Sequence, residues 1–205
     1  MPAALSKLRF TLLFLIVMLA ANLAVGSLLK QPSYPWFQED FGIGYDSLMR
    51  GEIYRLLTSI FLSRRIFMYA DQVIFTLATI GVYEYICGTW RAVWMYFAIN
   101  TAGLLLTLFA VIKPLALLGI GPFASVLAAN DIGMSAGGFG LVGAMASFTR
   151  WPKTLLALVL LGMAIKPFLH ADPIADTGHI VTFLVGFGLQ KYVNRRDAQS
   201  SAQQP

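Results

Sequence analysis

Two polar side chains interrupt apolar stretches of the chain, at positions where a hydroxyl and an imidazole could act together. Ser135 lies among glycines in NDIGMSAGGFGLVGAM (130–145), and His179 lies in DTGHIVTFLVGFGLQ (176–190). A serine hydroxyl becomes a strong nucleophile when an adjacent base accepts its proton, and histidine titrates close to neutral pH. The pair therefore indicates acyl-transfer chemistry, with Ser135 as the nucleophile and His179 as the base.

Both residues also have structural interpretations. A serine within a face of small residues commonly packs or hydrogen-bonds within its own helix. A histidine can be satisfied at a membrane interface, although an ionisable side chain inside a span favours a function. His170, in a polar loop, is interpreted as a solvated residue without a role. The chemical interpretation therefore depends on whether the surrounding elements bring Ser135 and His179 together.

The composition of the 205-residue chain is typical of a membrane protein that crosses the bilayer several times. Hydrophobic residues make up 58% of the sequence and charged residues 12%, which is too apolar for a soluble domain of this size. Apolar runs near the length of a membrane-crossing helix are 9–29, 66–86, 92–112, 133–149, 154–170 and 177–193. We therefore predict an all-α polytopic membrane protein, a six-transmembrane-helix bundle over residues 1–193 with a polar, disordered tail over 194–205.

Two stretches between these runs are predicted to lie at the membrane surface. Segment 114–130 contains two prolines, so we expect a loop with a short interfacial helix, and a seventh span is the less favoured alternative. The connector 30–65 interleaves aromatic and acidic residues, a mixture that suits the headgroup region.

The distribution of lysine and arginine predicts the orientation of the spans. With six spans, one face collects Lys7, Arg9, Arg91, Arg150, Lys153, Lys191, Arg195 and Arg196. Only Lys113 and Lys166 lie in short loops on the other face, so both termini are predicted to be cytoplasmic. The short chain favours a bacterial inner membrane over an organelle.

The remaining composition excludes several function classes. The net charge of +5 is explained by basic cytoplasmic loops beside anionic lipid, so nucleic-acid binding is not predicted. Cys87 is the only cysteine in the sequence, which excludes an intrachain disulfide and a cysteine-based metal site. No phosphate-binding or dinucleotide-binding glycine pattern occurs, so no cofactor and no metal are predicted.

The predicted spans would bring Ser135 and His179 together near the outer membrane face. Both residues lie close to the beginning of their helices, and these two spans run in the same direction, so the side chains share a similar depth. Glycines on both spans, Gly143 and Gly186 among them, are of the kind that lets membrane helices approach closely. Such an approach would allow a hydrogen bond between serine and histidine.

Three blocks of the sequence resemble the rhomboid family of intramembrane serine proteases. The blocks are GEIYRLLTSIF with GVYEYICGTWR (51–61 and 81–91), GMSA (133–136) and GHIVTFLVG (178–186). They are similar to the family's first loop and second span, its GxSG block and its histidine helix. Phe139 and Gly143 extend the second block, because the family has an aromatic residue four positions after the nucleophile. The resemblance covers about residues 51–190.

This resemblance implies a dyad without a carboxylate, in which Ser135 attacks the scissile peptide carbonyl and His179 takes and returns the proton. It also implies that Phe139 stacks on the imidazole and that Gly133 lets the substrate backbone come close. Structural roles are expected for Tyr54, Arg55, Glu84, Gly143 and Gly186. The implied partners are transmembrane protein substrates and the lipid bilayer.

The sequence departs from the family pattern at the oxyanion donors. The family's second-span histidine and asparagine fall on Met68 and Gln72; methionine cannot donate a hydrogen bond, whereas glutamine can. Gln72 is therefore the expected side-chain donor, although it could instead cap a polar spot near Asp71 at the water boundary. Ala136 and Thr182 replace family glycines. These replacements require only a slightly wider packing of the helices.

The sequence thus predicts an intramembrane serine endopeptidase that cleaves transmembrane proteins near the outer membrane face. A catalytically inactive relative that binds transmembrane clients is the alternative, because losing one oxyanion donor costs roughly a hundredfold to a thousandfold in rate. A small transporter or channel is a third alternative. Against it stand the missing internal repeat and the lack of charged residues along the spans.

Overall fold

The computed structural model describes residues 7–29, 36–169 and 172–202. The helices, numbered in chain order, are α1 Arg9–Ala24, α2 Trp36–Phe41, α3 Tyr45–Met49, α4 Arg55–Thr58, α5 Ile66–Cys87, α6 Thr89–Leu117, α7 Phe123–Val126, α8 Ser135–Ala146, α9 Pro152–Leu169 and α10 Pro173–Ala202. Within the described ranges no strand occurs, and the β-type pairing is one isolated antiparallel bridge between Ile43 and Asp131. The predicted all-α class is therefore confirmed. His170, which was interpreted as a solvated loop residue, lies outside the described residues.

The predicted bundle of six transmembrane helices is wrong. Among the described residues, two helices are long and apolar enough to cross a membrane, namely α5 with 22 residues and α6 with 29. Helix α8 has only 12 residues, and at 1.5 Å per residue it covers about 18 Å of a hydrocarbon layer roughly 30 Å thick. The apolar run 133–149 overstated its length because residues at both ends of that run are not helical.

Other helix boundaries also differ from the prediction, and α1 ends at Ala24, five residues before the predicted end at residue 29. Helix α6 continues to Leu117, beyond the predicted end at residue 112, and α7 supplies the short helix expected within 114–130. Helix α10 continues to Ala202 through most of the stretch that was predicted to be a disordered tail. An ion pair of 2.8 Å between Arg91 and Asp197 ties this extension to the beginning of α6.

Helices α8 and α10 meet through their backbones. A Cβ on Gly143 of α8 would overlap the carbonyl oxygen of Phe183 in α10, and a Cβ on Gly186 would overlap the carbonyl oxygen of Gly140. Only glycine allows this approach. Around the contact lies a core of buried side chains from α1, α5, α6 and α8, including Phe14, Met18, Tyr83, Met95, Tyr96, Ile99 and Leu141. The contact fixes the spacing between the two helices that carry Ser135 and His179.

One end of the molecule, called the Glu84 end below, is closed by a buried carboxylate. Glu84, near the end of α5, is 1% exposed. It accepts hydrogen bonds from the backbone N–H groups of Phe10 and Thr11 at 2.8 Å, and from the hydroxyls of Thr11 and Thr89 at 2.7 Å. The first turn of α1 thus receives a charged acceptor for two N–H groups that a helix start leaves unpaired, and α6 adds a hydroxyl donor.

The other end, called the Ser135 end, is covered by the described residues 36–65. Arg55 of α4 is buried; its Nη1 donates to the Gly42 carbonyl oxygen at 2.8 Å, and its Nε lies 2.6 Å from the Glu52 carboxylate. The Tyr54 hydroxyl donates to the carbonyl oxygen of Asp40 at 3.2 Å. Arg55 and Tyr54 therefore tie α4 to the end of α2.

Candidate active site

Ser135 is the first residue of α8, and the loop before it is held at two points. Asp131 and Ile43 exchange backbone hydrogen bonds of 2.8 Å. The N–H of Gly133 donates to the carbonyl oxygen of Ser59 at 2.9 Å. These contacts fix the entry of the chain into α8 and leave Ser135 half-buried.

Gly133 adopts a conformation that favours glycine. Its φ is +130°, and a Cβ there would lie 2.8 Å from Nε2 of Gln72 and 3.3 Å from Cε of Met68. The resulting turn leads into the N-terminal end of α8, where the first N–H groups have no intrahelical acceptor. Such groups favour negative charge that develops next to Ser135.

The structure brings His179 into direct contact with Ser135. His179 lies in the second turn of α10, and its Nε2 is 2.8 Å from the Oγ of Ser135. In the tautomer that carries its proton on Nδ1, Nε2 accepts the hydroxyl proton. This is the geometry that general-base activation of a serine requires.

Phe139 packs against the imidazole from one helical turn beyond Ser135. The centroids of the Phe139 and His179 rings are 4.3 Å apart, with an angle of 30° between the ring planes. Phe75 of α5 contacts Phe139 in turn, at a centroid distance of 5.1 Å. The ring of Phe139 therefore restricts the orientation of the imidazole, as the sequence implied.

Gln72 is buried beside the loop that carries the nucleophile. It is 5% exposed, and its Oε1 accepts a hydrogen bond of 2.6 Å from the Ser63 hydroxyl. Nε2 lies close to Gly133 and donates to the Leu62 carbonyl oxygen over 3.4 Å. No other acceptor in the described part of the chain bonds this nitrogen, so the second amide hydrogen is available to a substrate oxygen.

Met68 offers no such donor. Its Sδ accepts a contact of 3.3 Å from the backbone N–H of Arg64, and its Cε faces Gly133. The side chain therefore contributes apolar surface to the site and cannot stabilise an oxyanion.

A cavity of about 450 Å³ opens beside Ser135, between α5 and α8. Its walls are formed by Met68, Asp71, Gln72, Ile74, Phe75, Ala78, Ser135 and Phe139. The volume is within the range of ligand-binding pockets. The cavity thus extends to Ser135 along a mainly apolar surface.

A smaller space lies on another side of the contact between Ser135 and His179. It measures about 20 Å³, and its walls include Ser59, Asp131 and Gly178 together with both residues of the pair. That volume is enough for about one water molecule, and the walls offer polar partners.

Three contacts at the site had no signal in the sequence. Ser63 orients Gln72, Ser59 holds Gly133, and Arg64 forms an ion pair of 3.0 Å with Asp131. Each contact joins segments that meet only in the folded chain.

The Asp131 carboxyl lies in a mixed electrostatic environment. Burial raises the pKa of Asp131 to about 6; the Arg64 guanidinium opposes this rise, and the negative charge of Asp172 adds to it. The loop before the nucleophile therefore carries a carboxyl that titrates just below neutral pH.

No protein-family model, curated protein or solved structure matches this chain. The likeness to the rhomboid family therefore stays a prediction from the three sequence blocks, and the geometry of the site carries the functional argument.

Proposed function

We propose that this chain is a membrane serine endopeptidase that cleaves transmembrane proteins, as its resemblance to the rhomboid family implies. The observation that carries the proposal is the 2.8 Å contact between Ser135 Oγ and His179 Nε2. The same serine lines an open cavity of about 450 Å³. A serine that only packs in a core requires neither a base nor access for a substrate.

In the first step, Ser135 Oγ attacks the carbonyl carbon of the scissile peptide while His179 Nε2 accepts its proton. The carbonyl electron pair moves onto oxygen and gives the oxyanion of a tetrahedral intermediate. Collapse of the intermediate breaks the carbon–nitrogen bond, and the imidazolium returns its proton to the leaving amine. The product is an ester between Ser135 and the substrate.

In the second step, His179 accepts a proton from water and the resulting hydroxide attacks the ester. The bond to Ser135 then breaks, and the serine oxygen recovers the proton from the imidazolium. The space of about 20 Å³ beside the pair would hold the water that this step consumes.

The oxyanion would be stabilised by two donors. One is the backbone N–H of Ser135 at the beginning of α8, where the helix dipole favours negative charge. The other is Nε2 of Gln72, which lines the same cavity as Ser135. Because Ser63 binds the Gln72 carbonyl oxygen, the amide would already be oriented before the substrate binds.

In this proposal the protein is integral to a bacterial cytoplasmic membrane, with both termini on the cytoplasmic side. Helices α5 and α6 supply the apolar length. Most basic residues outside the connector 30–65 gather around the Glu84 end, namely Lys7, Arg9, Arg91, Lys191, Arg195 and Arg196, whereas the arginines of that connector lie at the Ser135 end. Because basic segments favour the cytoplasmic side, the Ser135 end would face outward and cleave substrates there.

An inactive relative that binds transmembrane clients is the second candidate, and Met68 favours it. Met68 stands where a donor would be expected, and among the described residues of the cavity wall only Gln72 offers an amide hydrogen. If Gln72 only supports the loop, the site would retain a binding surface without sufficient stabilisation of the oxyanion.

Labelling with a fluorophosphonate probe tests the dyad, because such a probe reacts with an activated serine. The detergent-purified protein should be labelled at Ser135, and Ser135→Ala and His179→Ala should each abolish labelling. Ser125→Ala is a matched control, because Ser125 is exposed on α7 and should leave labelling unchanged.

Equal labelling of the wild type and Ser135→Ala would contradict the catalytic proposal. An unlabelled wild type that still binds a single-span client in detergent would instead support the client-binding candidate. Identification of the labelled peptide by mass spectrometry shows whether the probe has reacted at Ser135 or elsewhere, and the absence of a labelled peptide identifies the unlabelled case.

A further inference from the structure

An acidic side chain stands at the cavity that leads to Ser135. Asp71 lies one helical turn beyond Met68 on α5, and both side chains line the cavity together with Ser135. Asp71 is exposed, whereas its neighbour Gln72 is buried. The carboxylate therefore faces the space that a substrate would occupy.

The wall around this carboxylate is apolar. Ile74, Phe75, Ala78 and Phe139 form most of the remaining surface, and Phe75 and Phe139 pack on each other at a centroid distance of 5.1 Å. An apolar surface with one charged group is suited to a ligand that combines an aliphatic part with one opposite charge.

Asp71 has no partner of its own in the described part of the chain. The ion pairs there join Arg50 and Arg55 to Glu52, Arg64 to Asp131, and Arg91 to Asp197. No hydrogen bond to the Asp71 carboxylate occurs among the described residues either. Its negative charge is thus not neutralised by the fold and is available to a ligand.

We propose that Asp71 makes the cavity selective for substrate segments that carry a lysine or arginine side chain close to the scissile bond. This inference rests on the proposed function. The ammonium or guanidinium group would pair with the Asp71 carboxylate, and the aliphatic stem would cover the apolar wall. Lysine and arginine are concentrated on the cytoplasmic side of membrane spans, so a basic residue at the outer boundary would mark a limited set of single-span proteins, and these are the expected substrates.

The charge alone would determine this preference. A neutral side chain of similar length could fill the same apolar surface but would leave the carboxylate unpaired. A partly exposed ion pair of this kind corresponds to a preference of about fivefold in kcat/KM for lysine over glutamine.

A panel of single-span substrates tests the inference. The substrates differ at one position at a time, with either lysine or glutamine, across the residues that flank the cleavage site. The wild type should cleave one lysine substrate about fivefold better than its glutamine partner. Asp71→Asn should reduce this ratio to near one, and Asp71→Glu should restore it.

Two controls make the result specific. Asp40→Asn removes an exposed carboxylate outside the cavity, so the lysine preference should survive it and exclude an effect of net charge. Asp71→Lys should reverse the preference in favour of a substrate with glutamate at the same position. Because each ratio compares two substrates with one enzyme, it does not depend on how much of a variant folds.

The outcomes separate the two proposals. If the wild type is not labelled at Ser135 by a fluorophosphonate and cleaves no substrate, the proposed function fails and the inference fails with it. If the wild type is labelled and cleaves the panel, but shows no lysine preference or keeps that preference in Asp71→Asn, only the inference about Asp71 is overturned.

Discussion

Helix α5 carries two carboxylates that differ in their exposure and in their hydrogen-bond partners. Glu84, at one end, is 1% exposed and accepts hydrogen bonds from four donors of α1 and α6. Asp71, toward the other end, is exposed on the wall of the cavity beside Ser135 and has no partner among the described residues. The same functional group thus serves the fold at one end of the helix and faces the cavity beside Ser135 at the other.

The difference indicates how a carboxylate with a structural role can be distinguished from one that is available to bind a ligand. A buried carboxylate is tolerated only when donors compensate the loss of water, and at Glu84 two of these donors are N–H groups at the start of α1 that need an acceptor. A carboxylate on an open cavity keeps its water until a ligand displaces it. Variants at the two ends should therefore affect stability and selectivity separately.

The largest expected effect is loss of stability at the Glu84 end. Glu84→Ala leaves buried donors of Phe10, Thr11 and Thr89 without an acceptor, which should lower the free energy of unfolding by about 3 kcal/mol or more. Glu84→Gln should be nearly as harmful, because its amide places a donor against donors. Asp71→Asn, the matched change on the same helix, should stay within about 0.5 kcal/mol of the wild type. Thermal unfolding in detergent measures all three; equal midpoints would refute the contrast.

The next effect extends the comparison to arginines at the Ser135 end. Arg55 is buried and binds the Gly42 carbonyl oxygen, whereas the Arg64 side chain is 42% exposed in its pair with Asp131. Arg55→Ala should therefore cost about 2 kcal/mol, and Arg64→Ala less than about 1 kcal/mol. Arg65→Ala, on an exposed residue, serves as a second reference. Indistinguishable melting of the three variants would contradict this ranking.

Gln72 combines both situations in one side chain, because its oxygen is held by Ser63 while the residue also lines the cavity and its nitrogen lies close to Gly133. If Nε2 stabilises the oxyanion, Gln72→Ala should reduce turnover by about tenfold or more. Met68→His should raise turnover, because it adds a donor on the same wall. Steady-state cleavage of one single-span substrate provides the measurement. Unchanged rates in both variants would exclude this pair from catalysis.

The smallest expected effect concerns Asp131, a carboxylate intermediate between the two. Its pKa in the folded chain is raised from 3.8 to about 6, so the folded state binds the proton more tightly than the unfolded state. Stability contributed by this group should therefore increase as the pH falls through 6 toward 4. Asp131→Asn should be more stable than the wild type at pH 7 by on the order of 1 kcal/mol, and less so at pH 5. Unfolding midpoints at the two pH values test the sign; a difference that grows on acidification would contradict it.

Local pattern was sufficient to predict which residues of the site meet. Ser135 and His179 follow helix starts, and Gly143 and Gly186 allow the backbones to touch. The number of membrane-crossing helices could not be predicted in the same way, because hydropathy does not show that α8 ends after 12 residues. Hydropathy likewise does not show which of two neighbouring residues is exposed.

The hydrogen-bond partners of the side chains at the site also could not be predicted from the sequence. The pairing of Gln72 with Ser63 depends on how the chain before α5 turns back on that helix. The exposure of Asp71 depends on the rotation of α5 about its axis, since Gln72 beside it is buried. Apolar periodicity is weak where most residues are apolar, so this rotation carries little signal.

The backbone contact between α8 and α10 also has a consequence for biosynthesis. Ser135 and His179 are 44 residues apart in the chain, and Gly186, which seats α10 against Gly140, is synthesised later still. At a translation rate of 5–20 residues per second, roughly 2 to 9 seconds separate the appearance of the hydroxyl from that of the imidazole. During this interval the nascent chain contains the serine without its base. Under the proposed function, the hydroxyl therefore stays unactivated toward other emerging segments until the imidazole has been synthesised.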